Sequence, residues 1–152
     1  MEAITLKIVL LLHMASTLLM VGIIWFIQIV HYPLFSRVGV EDFRVYEYHH
    51  TALITLVVMP LMLVELGTAL LLVVLPPPGV SPLLTWAGLG LVIMIWVSTA
   101  LLQVPQHAQL ATGFDSEIHR ALVASNWIRT IAWSLRGALV LAIVGRFVHT
   151  GI

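Results

Sequence analysis

The chain has 152 residues, of which 61% are hydrophobic and only 9% are charged, with seven basic residues, seven acidic residues and no cysteine. A composition this apolar predicts an integral membrane protein that contacts the lipid bilayer, and a balanced charge without a basic run gives no indication of a nucleic-acid partner. The lack of cysteine excludes disulfides, thiolate zinc sites, covalently attached c-type haem and cysteine-ligated iron–sulfur clusters.

Four apolar stretches are long enough to cross a bilayer as helices, which takes about 20 residues. They cover residues 5–29, 51–75, 83–102 and 127–148. The first is predicted to be a true span, because it is about twice as long as the apolar region of a signal peptide and no small-residue cleavage site follows it. We therefore expect one all-α domain over residues 1–152, an integral membrane four-helix bundle with up-down-up-down topology and both termini on one side.

The connections between the spans differ in character. The middle one, residues 76–82, is rich in proline and has no titratable side chain, which predicts a stiff structural turn. The other two, residues 31–50 and 103–126, are longer and carry most of the polar residues, so function is expected there. In these two we expect short helices on one membrane face: residues 41–50 form a helical approach to the second span, and Asp115 caps a short helix.

Basic residues near the span ends weakly predict the orientation. Arg37, Arg44, Arg120 and Arg129 lie on the face with the long connections, against Lys7 and Arg146 on the face with the termini. The positive-inside rule then places the long connections in the cytoplasm, in a membrane of the bacterial inner or plasma type.

Each span carries a polar stripe when its residues are placed at about 100° intervals around a helix. The stripes contain His13, Thr17, Gln28 and His31 on the first span, Glu47, His50, Glu65 and Thr68 on the second, Trp96, Thr99 and Gln103 on the third, and Asn126, Arg129, Trp133 and Arg136 on the fourth. Since lipid cannot satisfy hydrogen-bonding groups, the stripes are expected to turn inward.

Three ionisable residues, His13, Glu65 and Arg136, fall near the middle of their spans. A charge at that depth costs about 2.5 to 3.5 kcal/mol on insertion scales, so Glu65 and Arg136 are predicted to pair. The pair has two interpretations, a structural ion pair that sets the register of two spans or a buried polar relay for protons.

Histidines gather at the face with the long connections. Glu47 and His50 are three residues apart, which puts a carboxylate and an imidazole on one helix face, as in di-iron bundles. The residue count favours a mononuclear site for iron or copper, or a haem site; its candidate metal ligands are His31, His50, His107, His119 and Glu47. The alternative is that these histidines transfer protons without a metal, and His49 is expected to be a bystander.

Tryptophans and a weak repeat complete the pattern. Trp25, Trp86 and Trp127 lie toward span ends, where an aromatic belt is expected, whereas Trp96 and Trp133 lie deeper and either line a substrate pocket or simply pack in the interior.

The repeat relates residues 28–33 at the end of the first span to residues 103–107 at the end of the third, which favours a two-helix duplication around one central site.

Two segments resemble known families. Val104-Pro105-Gln106-His107 with Leu110, followed by Asn126-Trp127-Ile128-Arg129-Thr130, resembles a group of small four-helix membrane proteins that includes the anthrone-oxygenase-like proteins, over about the last third of the chain. This resemblance implies oxidation of a hydrophobic, often aromatic, substrate by oxygen, with His107, Asn126, Trp127 and Arg129 at the site. His107 departs from the asparagine of that group, which puts the same substrate in doubt.

The second resemblance lies in the first span and its exit. The spacing of His13 and Trp25, followed by Tyr32-Pro33-Leu34-Phe35, is similar to the small membrane-type protoporphyrinogen oxidases. Both resemblances imply redox chemistry.

We therefore expect a small membrane oxidoreductase or oxygenase whose hydrophobic small-molecule substrate enters from the lipid. The expected catalytic residues are His31, His50, His107, Asn126 and Arg129, and the expected substrate-binding residues are Tyr32, Trp96, Gln103, Trp127 and Trp133. Two alternatives stay open, a proton- or ion-coupled transporter or channel that uses Glu65, Arg136 and His13, and a non-enzymatic membrane subunit. A homodimer is also left open.

Overall fold

The computed structural model describes residues 3–149, and this range is helical with no strand. The α-helices are Ala3–Phe26, Tyr32–Leu34, Phe43–Val74, Pro82–Ser98, Val104–Leu110 and Ser116–His149; Ile27–His31 and Thr99–Gln103 are π-helical, and Phe35–Arg37 is a 3₁₀ turn. These elements join into four long spans, Ile4–Arg37, Phe43–Val74, Pro82–Leu110 and Ser116–His149, each long and apolar enough to cross a membrane. The expected all-helical architecture with four membrane-span candidates is confirmed.

The four spans pack around a shared interior in which each contacts two neighbours. The first span contacts the second and the fourth, and the third contacts the same two. One apolar cluster contains residues from the start of the first span, such as Leu10, and from the ends of the second and fourth, Leu72 and Phe147. Another contains Phe35 from the end of the first span and Phe43 from the start of the second. We call the end with this second cluster the histidine end, because His31, His50, His107 and His119 lie there.

Large apolar side chains cover the outside of the bundle, and polar side chains fill much of its interior. Exposed residues include Leu19, Leu56, Leu63, Leu101 and Leu135. Polar residues of all four stripes are buried, among them His13, Glu65, Gln103, Asn126 and Arg136. This distribution is the reverse of that in a water-soluble bundle and is typical of helices that face lipid.

The connections at the histidine end are much shorter than expected. The first span continues to Arg37 and the second begins at Phe43, while the third continues to Leu110 and the fourth begins at Ser116. The expected approach to the second span over residues 41–50 is helical from Phe43, and the residues after Asp115 are helical as expected, but both are the first turns of long spans and not separate loop helices. The predicted cap at Asp115 is confirmed, since its Oδ1 accepts hydrogen bonds from the backbone N–H of residues 117 and 118 at 2.7 and 3.1 Å, but it caps the fourth span itself.

Two π-helical turns explain why the helices continue past proline. Each covers five residues and ends two residues before a proline, Pro33 in the first span and Pro105 in the third. Proline lacks an N–H and its ring crowds the carbonyl of the preceding turn in an α-helix. The wider π turn contains an extra residue and relieves this conflict, so the spans do not break.

The second span is divided into two halves near Pro60. Every residue from 51 to 61 is at least partly exposed, whereas Met62, Glu65, Thr68 and Leu72 are buried. The segment of residues 51–61 is therefore less closely packed than the rest of the span and leaves space beside the third span.

Candidate active site

A cavity of about 370 Å³ occupies the space between the second and third spans. We call it the lateral cavity; its lining is Ile27, Tyr32, Thr51, Ile54, Thr55, Val58, Met59, Met62, Trp96, Thr99, Gln103, Val104, His107, Ala108, Ala111 and Arg129. Most of this lining is apolar, and the polar groups Tyr32, Gln103, His107 and Arg129 come from three different spans. A concave apolar site with a few converging polar groups is typical of small-molecule binding.

A carboxylate, an imidazole and a phenol form a hydrogen-bonded chain at this cavity. His107 Nδ1 lies 2.5 Å from Oε1 of the fully buried Glu47, and its Nε2 lies 2.8 Å from the Tyr32 hydroxyl. Since a carboxylate only accepts, Nδ1–H donates to Glu47, and the Nε2 of a neutral ring then accepts from Tyr32. The carboxylate fixes this tautomer and the orientation of the ring, as in other carboxylate–histidine pairs.

His31 and His50 form a second pair beside the first. His31 Nε2 and His50 Nδ1 are 2.9 Å apart, and the rings of His50 and His107 are 5.4 Å apart between centroids. His50 Nε2 and Glu47 Oε2 are buried without a hydrogen-bond partner in residues 3–149. The predicted cluster of His31, His50, His107 and Glu47 is thus brought together.

The nitrogen and oxygen atoms of this cluster that could bind a metal do not point toward one position. The two imidazoles of one pair face each other, and His107 faces Glu47. In the described part of the chain no group of three or more His, Asp or Glu residues has the arrangement of a metal site. His119, the fifth predicted ligand, lies apart, because its Nε2 donates to the backbone carbonyl of Tyr32 at 2.7 Å.

Arg129 reaches the cavity from the fourth span. Its side chain is buried and lies beside the Tyr32 hydroxyl, and its Nε has no hydrogen-bond partner among the described residues. Within residues 3–149 no carboxylate lies within ion-pair distance of it. The cavity therefore contains a cation whose nearby polar partner is a neutral phenol.

Two amide side chains lie around the same end. Gln103 lines the cavity, donates from Nε2 to Ser125 Oγ at 3.0 Å and accepts from Ser98 at 3.2 Å. Asn126 is fully buried and donates from Nδ2 to Gln28 Oε1 at 2.9 Å. Ser125 was not predicted, because it lies beside the polar stripe of the fourth span and its role becomes visible only when the third span packs against it.

The three tryptophans proposed for substrate binding have different surroundings. Trp96 lines the lateral cavity. Trp133 is buried in an apolar layer with Met20, Met62 and Ile95. Trp127 is exposed on the outer surface, where its ring meets Trp25 edge to face at 5.7 Å, so the structure does not bring it to the cavity.

The predicted contact between Glu65 and Arg136 is present in the interior. Arg136 donates from Nε to Glu65 Oε1 at 2.6 Å and from Nη2 to the same oxygen, and its Nη1 donates to the carbonyl of Gly88 at 2.5 Å. Thr17 also donates to Glu65, at 2.8 Å, and His13 Nδ1 lies 3.2 Å from its other oxygen. This buried ion cluster is separated along the bundle from the lateral cavity by the apolar layer that contains Trp133.

Comparison with known proteins finds no matching family model, no similar curated protein and no solved structure with a similar fold. The resemblances noted above therefore rest on the residues quoted for them.

Proposed function

We propose that the four spans cross a bilayer in alternating directions, with the histidine end on the cytoplasmic side of a bacterial-type inner or plasma membrane. The length and apolar character of the spans and the leucine-rich outer surface support this placement. Arg129 no longer contributes to the orientation argument, because it is buried at the cavity and not in a connection. Arg37, Arg44 and Arg120 remain at the histidine end.

We propose further that the protein is a small membrane oxidoreductase that oxidises a hydrophobic substrate in the lateral cavity with dioxygen. The observation that carries this proposal is the hydrogen bond between His107 and the buried Glu47 at the wall of an apolar cavity. An imidazole held by a carboxylate is a typical general base, and the cavity lies between spans that face lipid. An apolar substrate can therefore reach the base without passing through water.

The reaction begins with proton removal. The bound substrate displaces the Tyr32 hydroxyl from His107 Nε2, which then takes a proton from an activated methylene of the substrate, and Glu47 stabilises the imidazolium that forms. The carbanion adds dioxygen, the peroxide accepts the proton, and loss of water leaves a carbonyl. One dioxygen is consumed and one water released for each methylene converted to a carbonyl, so the step needs no further electron donor.

A redox metal or haem at the histidines is the alternative within this proposal. It would require the His31–His50 contact to open so that both rings and His107 face one point. Metal analysis and an absorption spectrum of the purified protein decide between the two forms. If the purified protein contains stoichiometric iron or copper, or shows a Soret band, and His50→Gln loses it, the metal or haem form of the proposal would replace the metal-free form.

Anthrone is a suitable probe for the proposed reaction, because its activated methylene lies between two aromatic rings. We would measure oxygen consumption and quinone absorbance with the purified protein in lipid nanodiscs. His107→Gln should lower kcat by about 10² to 10⁴, the usual contribution of a general base. His49→Gln is the matched control, because His49 is exposed next to the cluster, and it should leave kcat unchanged.

Equal rates in the two variants would contradict the role of His107. Absence of oxidation with anthrone and with other apolar methylene compounds would contradict the oxidoreductase and favour a non-enzymatic subunit.

Proton or ion transport is the second candidate, and the buried cluster of His13, Glu65 and Arg136 favours it. The apolar layer around Trp133 weighs against a continuous path from that cluster to the histidine end. Proteoliposomes with a pH-sensitive dye test the transporter. Proton flux that is lost in Glu65→Gln, with unchanged folded yield, would support transport and contradict a purely structural ion cluster.

A further inference from the structure

Two arginines on the same face of the fourth span have opposite surroundings. Every guanidinium nitrogen of Arg136 has a partner: Nε and Nη2 donate to Glu65, Nη1 donates to the Gly88 carbonyl, and Nη2 also lies 3.1 Å from His13 Nε2. Arg129 is almost as deeply buried, with 5% of its surface exposed, but has no carboxylate partner within residues 3–149. A buried cation without a counter-charge is costly in a helix bundle, and more so in lipid.

The position of Arg129 indicates where a counter-charge would lie. The residue is part of the cavity lining, and its Nε, which has no hydrogen-bond partner in the described chain, is a free donor. The Tyr32 hydroxyl lies beside the guanidinium, but it is a neutral group. A negatively charged oxygen in the cavity would supply the missing charge and accept from Nε.

The remaining walls of the cavity limit what this anion is attached to. Ile54, Val58, Met59 and Trp96 line the space and lie on the spans that border its opening. These side chains favour an apolar body and provide no second positive charge. The site therefore suits one acidic oxygen group at the inner end of an apolar molecule, and not a polyanion.

We propose that the lateral cavity binds a membrane-soluble monoanion, a carboxylate or phenolate with an apolar body, whose anionic oxygen contacts Arg129. The proposal deepens the proposed function, because it names the substrate class of the same cavity. It also places the acidic oxygen near His107, since Tyr32 contacts both His107 and Arg129. A substrate that bears such a group would be held with its reactive part close to the base.

Binding measurements in nanodiscs of phosphatidylcholine test this directly, because that lipid has no net charge. The probe is 11-(dansylamino)undecanoic acid, and its methyl ester is the matched ligand without the charge. We expect the acid to bind about 10- to 100-fold more tightly than the ester, the range for one hydrogen bond to a charged group. Equal affinity for the acid and the ester in the unmodified protein would overturn the proposal without any variant.

Three variants locate the effect. Arg129→Gln should bring the ratio of acid to ester affinity close to one, and Arg129→Lys should keep most of it because the positive charge remains. Arg120→Gln is the control, since Arg120 is an exposed arginine of the same span, and it should leave the ratio unchanged. Full charge preference in Arg129→Gln would overturn the assignment to Arg129.

Competition distinguishes the two sources of the anion. Displacement of the probe by decanoic acid alone identifies a carboxylate, and displacement by an alkylated nitrophenol, which is ionised near neutral pH, but not by its methyl ether identifies a phenolate. The outcomes also separate this proposal from the proposed oxidation. Charge-selective binding without any oxidation supports the anion site and contradicts the oxidoreductase. Oxidation at an unchanged rate in Arg129→Gln supports the oxidoreductase and contradicts the anion site.

Discussion

Arg129 and Arg136 lie about two helical turns apart on one face of the fourth span, and within residues 3–149 only Arg136 contacts a carboxylate. The difference divides the interior into two polar regions with separate chemistry. At Arg136 the charges are matched and the side chains fill the space. At Arg129 the charge is unmatched and a cavity adjoins it. The first region is suited to holding helices in register and the second to binding a ligand.

Removal of one member of the buried ion pair should be severely destabilising. Arg136→Met leaves Glu65 buried without its counter-charge, which typically costs about 3 to 5 kcal/mol, while the double variant with Glu65→Leu should recover much of that loss. Unfolding in mixed micelles of dodecyl maltoside and SDS measures these differences. Arg120→Met removes an exposed arginine and should leave the stability unchanged. A double variant no more stable than Arg136→Met would contradict the pairwise explanation.

A methyl group at Gly88 should disturb the same cluster. A Cβ built on Gly88 lies 2.9 Å from Arg136 Nη1 and 3.0 Å from Leu139 Cδ2, so Gly88→Ala forces the guanidinium away from its partners. We expect a loss of about 1 to 3 kcal/mol, typical of overpacking. Gly90→Ala is the control, because nothing lies within 4 Å of its Cβ position. Equal stability of the two variants in thermal unfolding would contradict the close packing at Gly88.

Access to the lateral cavity should depend on the small residues of the third span. Ala108 is exposed and lines the cavity, and Ala108→Trp should obstruct it. We expect KM for an apolar substrate, or Kd for the dansyl acid, to rise by about tenfold, which corresponds to roughly 1.4 kcal/mol of binding. Ala100→Trp places the same side chain on an exposed position outside the lining. If both variants weaken binding equally, the ligand does not enter between the second and third spans.

Glu47 should affect the rate more than the affinity. Glu47→Gln keeps the size of the side chain but removes the charge that stabilises the imidazolium of His107, so kcat should fall by about 10- to 100-fold or more while KM changes little. Glu41→Gln is the control, because Glu41 is exposed at the same end. A change confined to KM would show that Glu47 supports ligand binding and not proton transfer. Oxygen consumption with anthrone provides both constants.

The features of the fold that depend on hydropathy and depth were predictable from sequence. Long apolar runs indicate helices long enough to span a membrane, and the cost of isolated charges indicates that Glu65 and Arg136 meet. Asp115 is a local helix-start signal, and its side-chain oxygen accepts the expected hydrogen bond from the backbone. These inferences need only helical geometry and the properties of lipid.

Features that depend on how the spans meet were not predictable. His119 and His107 are both histidines near the same end, and only the packing of the fourth span shows that His119 contacts a backbone carbonyl. Trp127 lies close in sequence to Asn126 and Arg129 but points outward, because consecutive residues differ in direction by about 100° around a helix. The lateral cavity arises because residues 51–61 of the second span are loosely packed, and the spacing of residues in the sequence does not indicate this.

The π turn at residues 27–31 decides which side chain occupies the centre of the histidine end. A regular α-helix would continue the buried stripe from Ile24 to His31, but the added residue turns the chain by about 100° and brings Tyr32 inside, while His31 is only half-buried. The phenol at the junction of His107 and Arg129 is thus a product of helix winding. Rewinding this turn as a regular α-helix, with no change of sequence, would bring the His31 imidazole inside in place of the phenol, whereas deletion of one of its residues would remove the turn and leave Tyr32 inside.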